Sequence, residues 1–405
     1  MNITSQVSSN NKAFLIAALL CLLLTTFPFA QGWISHGDYI PRALFLALVV
    51  VINPKLFVSK DVLWLGLFFA YMFIVGGVSS LIEVSAIIME FLMAIAISNY
   101  IITCKNKEHL RVIAWYGIIT TIIIMVSTSI VDAIRPGIVR EMVKFGYSGE
   151  NDIAHMYTRM GVCRYSFAMI IMCMSPVFLH ISKESKYKAF YLICFALVCY
   201  FVYIAGITTC LIILLLMVLV YIMNRKRTSN RSLFFSILII GVVLYLAGFL
   251  IVELLMPFFE GTTFYSHFAG LLEFYGKSTM ETDIYDVGDR VDLYKDSLAT
   301  FLGNPLFGSV TGKTGGHNYF LDRLAHFGII GTAPLFVFLH SRFRALLRFV
   351  PSTSRLVFEI CIIGFYMLGF LKNVSGVEYW IFLFVYIPCI LRIMEELNSK
   401  PQNNN

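Results

Sequence analysis

The sequence breaks again and again into apolar runs of about 17–24 residues, the length that carries a helix across a hydrocarbon layer about 30 Å thick. Lipid offers no partner to backbone N–H and C=O groups, so each run must satisfy them internally, as a helix. The runs fall at 14–30, 40–53, 62–80, 83–103, 112–131, 160–181, 189–206, 208–223, 233–256, 318–340, 356–372 and 377–393. As one helix, the stretch from 189 to 223 would be about twice a bilayer's thickness, so it needs a hairpin near Gly206. The expected fold is all-α: a single polytopic transmembrane domain over 1–405 with about 12 transmembrane helices and two long loops, 132–159 and 257–317. Composition agrees, with 59% hydrophobic residues, 14% charged residues and mean hydropathy +0.80. Soluble domains hold about 45–50% and about 25%.

The run Phe14–Ala30 follows a polar start bearing only Lys12, and no small-x-small cleavage pattern comes after it, so it reads as a retained first helix. With the N-terminus in the cytoplasm, the inner loops collect Lys55 and Lys60; Lys105, Lys107 and Arg111; Lys183, Lys186 and Lys188; Arg225 to Arg231; and Arg342 to Arg355. That is the positive-inside pattern, and an even number of spans leaves both termini inside and both long loops outside. The net charge of +7 therefore sets topology. No basic patch with interleaved aromatics points to nucleic acid. The nine cysteines lie in or at the ends of apolar runs, with no C-x-x-C, which argues against a disulfide framework or a zinc site.

The richest stretch for chemistry is GDRVDLYKDSLATFLGNPLFGSVTGKTGGHNYFLDRLAHFGIIG, from Gly288 to Gly331. Val291, Tyr294, Leu298, Phe301 and Leu302 form an apolar stripe at helical spacing. Asp289 is the expected N-cap, and Asn304-Pro305 the expected stop. Arg290 at that N-terminus suits a phosphate; its ordinary alternative is a solvated pair with Asp286 or Asp289. His317, at the mouth of the tenth run, is a candidate general base or else an interfacial capping residue. His326 falls on the opposite helix face and reads as packing. GSVTGKT, 308–314, fails the P-loop spacing and has no preceding strand. Asp283, Asp286, Asp289, Asp292 and Asp296 lack the ligand order of an EF-hand and read as a solvated acidic face. Arg159 and Arg164 bracket the mouth of the sixth run: snorkelling accounts for Arg159, and an anionic diphosphate partner suits Arg164. Glu90, mid-span, needs a partner that the sequence does not identify.

Arg290, then Asn304-Pro305-Leu306-x-Gly308, then His317-Asn318 with Leu321, then Gly328 and Gly331 entering a span: this order resembles the signature region of the bacterial O-antigen polymerase and O-antigen ligase superfamily. The motif covers about a tenth of the chain, and the span pattern agrees along the rest. The resemblance implies a GT-C-like glycosyltransferase of the bacterial inner membrane that needs neither metal nor other cofactor. Its donor would be an oligosaccharide on undecaprenyl diphosphate, used at the periplasmic face, with a separate chain-length regulator as partner. It implies His317 as base and Arg290 as a catalytic cation, with Arg164, Arg159, Asn318 and Tyr294 binding diphosphate or glycan. Relatives carry a further arginine after the hairpin turn, where this chain reads AGITTCLIILL, 205–215, with no basic residue. The compact loop between Arg290 and His317 favours a polymerase over a ligase acting on lipid A-core. A transporter would want mid-bilayer polar groups and internal repeats, and the sequence shows neither repeat nor matched breaks.

Overall fold

Apolar runs without lipid-facing charge fold as helices wherever a polar residue can close the end, and most of this chain does so. Asn106 illustrates the ends: its side chain accepts the N–H of Glu108 and opens a helix of 28 residues. The computed structural model describes residues 3–31, 33, 39–76, 81–142, 151–224 and 285–398, with scattered positions between 250 and 272. The helices are α1 (Ile3–Thr26), α2 (Tyr39–Ile52), α3 (Lys60–Gly76), α4 (Leu81–Thr103), α5 (Lys107–Ile134) and α6 (Asn151–Arg159). Then come α7 (Tyr165–Ile170, running through a 3-10 turn into Met174–Glu184), α8 (Lys188–Ile204), α9 (Thr208–Asn224) and α10 (Tyr285–Gly303). The last are α11 (Tyr319–Phe349), α12 (Arg355–Leu371) and α13 (Val377–Ile381, continuing through a π turn to Ile387–Asn398). The described residues contain no strand. The expected hairpin turns at Gly206, at φ 66°. The ninth expected span, 233–256, lies outside the described residues except for its last few positions.

Among the described residues, six helices are long and apolar enough to cross a membrane, and shorter apolar helices accompany them. The surface fits lipid. Leu44, Val51, Leu63, Ile74, Ile134 and Ile193 all stand outward and exposed, a load of apolar surface that water would not tolerate on a monomer. The protein is thus a helical membrane protein. Its centre is α13, buried along nearly its whole length between 377 and 394. Trp380 sits there among Phe91 of α4, Phe365 of α12 and Phe384, with ring centroids 4.2, 5.6 and 5.7 Å away. In lipid, such packing replaces the hydrophobic effect as the force between helices.

Two arginine–carboxylate pairs tie the bundle internally. Glu90 of α4 meets Arg42 of α2 at 2.9 Å, which supplies the partner the sequence does not identify. Arg342 of α11 meets Asp61 of α3 at 2.6 Å and also donates to Asn99 of α4 at 2.7 Å. Desolvated charges persist at such sites only when paired.

Candidate functional site

α11 is broken by its own glycine. Gly328, nine residues past Tyr319, has φ 61° and ψ −173°, a backbone region essentially reserved for glycine. A helix broken inside a bundle frees N–H and C=O groups that lipid cannot satisfy. Here the segment after α10 satisfies them. Pro305 C=O accepts from Ile329 N–H at 2.8 Å and Leu306 C=O accepts from Ile330 N–H at 3.0 Å, while Ser309 N–H donates to Ala325 C=O at 2.8 Å. The approach is backbone to backbone. A Cβ on Gly308, itself at φ 75°, would lie 2.4 Å from Gly328 N, and one on Gly328 would lie 2.4 Å from Leu306. The two glycine-bearing motifs, about twenty residues apart in sequence, are therefore parts of one joint.

That joint changes the reading of the loop expected at 257–317. Residues 304–309 rest against α11 about 14 Å of helical rise below Tyr319. Leu298, Leu302, Leu306, Phe307 and Val310 are exposed, and Leu306 adjoins exposed Ile329 and Ile330. Leu298 and Leu302 of the α10 stripe thus face outward. The docked side of α10 is polar. Ser297, buried, donates to Asp322 at 2.6 Å and accepts from Gly315 N–H at 2.9 Å.

Arg290 does not open its helix. α10 begins at Tyr285, so Arg290 lies more than a turn inside it and Asp289 is not the N-cap. The terminal dipole fades within the first turn, so it does not favour an anion at Arg290. The Arg290 side chain lies outside the described residues, as do Asp283 and the side chains of Asp286 and Asp289. Asp292 pairs with Lys295 and Asp296 with Lys313, each at 2.8 Å. The hydrogen bond and charge of Asp296 raise the Lys313 pKa. Lys313, the lysine of GSVTGKT, is thus turned back to α10.

Asn318 N-caps α11 by accepting Leu321 N–H at 3.0 Å, and its amide donates to Phe370 C=O. Tyr294 donates to Leu371 C=O at 2.9 Å, and Tyr319 N–H to Lys372 C=O at 3.2 Å. Three carbonyls at the end of α12, left without helical partners, are met in this way by α10 and α11. His317 precedes this cap and is exposed. His326 is half-buried and shares a hydrogen bond of 3.2 Å with Thr314.

Arg164 stands just before α7, half-buried, on extended backbone. Two residues later, Ser166 donates to Glu378 of α13 at 2.8 Å, and Glu378 is buried. The mouths of α7, α10 and α11 thus converge on the short link 372–376 between α12 and α13, which brings Tyr294, His317, Asn318 and Arg164 to one end of the bundle. Arg159 has a different setting: its guanidinium lies over Trp33, 5.0 Å from the ring centroid. Two further cations lie at this end. Lys372 opens the link, and Arg323 lies over Tyr319 at 5.3 Å. Sequence reasoning passed over Lys372, Arg323, Ser166 and Glu378. Glu378 carried a usable signal, since an acid just inside an apolar run is functional or paired by default.

A cationic rim on an exposed histidine suits an anionic ligand undergoing proton transfer. Among the described residues, no three His, Cys, Asp or Glu side chains gather as a metal site. No family model matches the chain, and no curated protein matches it.

Proposed function

We propose that this protein is a GT-C-like membrane glycosyltransferase of the O-antigen polymerase and ligase type, with about twelve spans. Its reaction moves a glycan from undecaprenyl diphosphate to another lipid-linked repeat unit at the periplasmic face. The observation that carries the reading is the joint between Asn304–Gly308 and Gly328, because the residues behind the resemblance prove to be geometric requirements of one another. The acceptor hydroxyl oxygen bonds to the donor's anomeric carbon as the bond from that carbon to the diphosphate oxygen breaks. His317 takes the hydroxyl proton. Arg164, Lys372 and Arg290 stabilise the charge gathering on the leaving diphosphate. Asn318 holds the residue beside His317 to α12 and so positions the base, and Tyr294 holds α10 to the same helix end.

The test is polymerisation by purified protein, supplied with undecaprenyl-diphosphate repeat unit and chelator but no ATP. A ladder of lipid-linked glycans from wild type, lost in folded His317→Ala and Arg290→Ala, is the expected result. Transfer that needs added lipid A-core assigns a ligase. No transfer to either acceptor by folded protein overturns the glycosyltransferase reading and leaves a transporter of lipid-linked glycan.

A further inference from the structure

Between α11 and α12, near the turn that joins them, lies a hollow of about 520 Å³. Its wall is largely apolar, built around Phe343, Ile362 and Ile363. Groups of opposite charge line it as well: Arg344 and His340 from α11, both exposed, and Glu359 from α12, half-buried. An arginine and a glutamate on two packed helices ordinarily pair at the edge of a membrane. These do not. Among the described residues, neither Glu359 nor Arg344 forms an ion pair, with each other or with any third group. The cation that acts on Glu359 is Arg355, one turn back at the exposed start of α12. The charges also stand at different depths. Glu359 lies about 6 Å of rise from the start of α12. Phe343 sits 6.5 Å from Phe358 and 5.9 Å from Tyr366, so Arg344 beside it faces the middle of that stretch, farther from the turn than Glu359. His340 is a further turn of α11 away.

We infer that this hollow binds a phospholipid whose headgroup carries both a phosphate and a primary ammonium, as phosphatidylethanolamine does. In that headgroup the ammonium lies outermost, the phosphate next and the acyl chains deepest. The hollow presents its groups in the same order: the Glu359 carboxylate nearest the turn, the Arg344 guanidinium deeper, and the apolar wall beside and beyond it. The carboxylate accepts from the ammonium, and the guanidinium, with His340, donates to phosphate oxygens. Each charge that the helices leave apart thereby gains a partner without crossing the hollow. A purely anionic headgroup would satisfy Arg344 and be repelled by Glu359. A quaternary ammonium has no N–H to donate to the carboxylate. The hollow shares no residue with the His317 end, so the inference does not rest on the function proposed there.

The experiment counts lipids retained by the full-length protein in neutral detergent by native mass spectrometry. Phosphatidylethanolamine, phosphatidylcholine and phosphatidylglycerol of one acyl composition are offered in parallel. Wild type and Lys55→Gln, which alters an exposed lysine outside the hollow, should retain phosphatidylethanolamine selectively. Glu359→Gln should lose about ten-fold in affinity for phosphatidylethanolamine and nothing for phosphatidylglycerol. Arg344→Gln should weaken all three lipids by about five-fold. Ile363→Trp, which fills the hollow and leaves both charges in place, should lower retention of all three and guards against misfolding of the charge variants. Phosphatidylglycerol retained by wild type as well as phosphatidylethanolamine, or better, overturns the zwitterionic occupant. Phosphatidylcholine retained equally overturns the part given to the primary ammonium. Selectivity unchanged in both Glu359→Gln and Ile363→Trp places the lipid elsewhere and overturns the site.

Discussion

On the side of Gly328 that runs to Phe349, α11 is a long membrane helix whose first N–H groups, of Ile329 and Ile330, are met by Pro305 and Leu306, and which is tied to α3 and α4 through the buried Arg342. On the side that starts at Tyr319, it is a short segment joined at both ends to other elements: Ser309 at the break, Phe370 and Lys372 at the cap. The first half carries a desolvated ion pair beside its ring packing. The second is held by many small bonds to neighbours, each of which fixes position more than it adds stability. A helix meant only to span has no use for the second arrangement. A helix that must hold a side chain such as His317 at a fixed place relative to α7, α12 and α13 does.

The strongest way to break this contrast is Arg342→Ala. It leaves the Asp61 carboxylate, 9% exposed, without a cation. Loss of one member of a buried pair costs about 3–5 kcal/mol. Reversible unfolding in detergent should show that loss, and Arg342→Met/Asp61→Leu should regain most of it. A single variant as stable as wild type would mean that the inner half is not held by this pair.

Gly328→Ala and Gly308→Ala come next, at about 3 kcal/mol each, because both place a Cβ at positive φ against backbone that cannot yield. The double variant should cost clearly less than the sum, since each side chain breaks the same joint. Additive costs would show that the two glycines act separately, and the outer half would no longer depend on the 304–309 segment.

How far the sequence revealed this molecule depends on the scale of the feature. The apolar helices of the described residues were legible because length and hydropathy act locally on each one. Gly328 was legible as a motif residue but not as a break, because Tyr319–Phe349 reads as an unbroken apolar pattern and its rescue comes from carbonyls in another segment. The start of α10 was misplaced for a similar reason. Asp289 has the chemistry of a cap, and nothing in the neighbouring residues says that the helix already began at Tyr285. For Asn318 and Tyr294, expected as substrate ligands, the bonds to backbone of α11 and α12 were not legible. A polar residue at a span mouth looks the same in sequence whether it faces a ligand or the bare end of a neighbouring helix.

The smallest effects separate positioning from chemistry at the His317 end. Asn318→Ala removes an N-cap and a bond to Phe370, for about 1–2 kcal/mol, and Tyr294→Phe removes one bond to Leu371, for about 1 kcal/mol. His317→Ala, at an exposed position, should change stability by no more than about 0.5 kcal/mol. Activity should run the other way. Transfer falls modestly in the two capping variants and is lost in His317→Ala, because a displaced base works poorly and an absent one not at all. Melting and turnover measured on the same preparations decide the matter. A His317→Ala protein that melts as low as Asn318→Ala would make the imidazole a third prop of the outer half, and the proton acceptor would then have to be sought elsewhere at this end of the bundle, with Glu378 the first carboxylate to test.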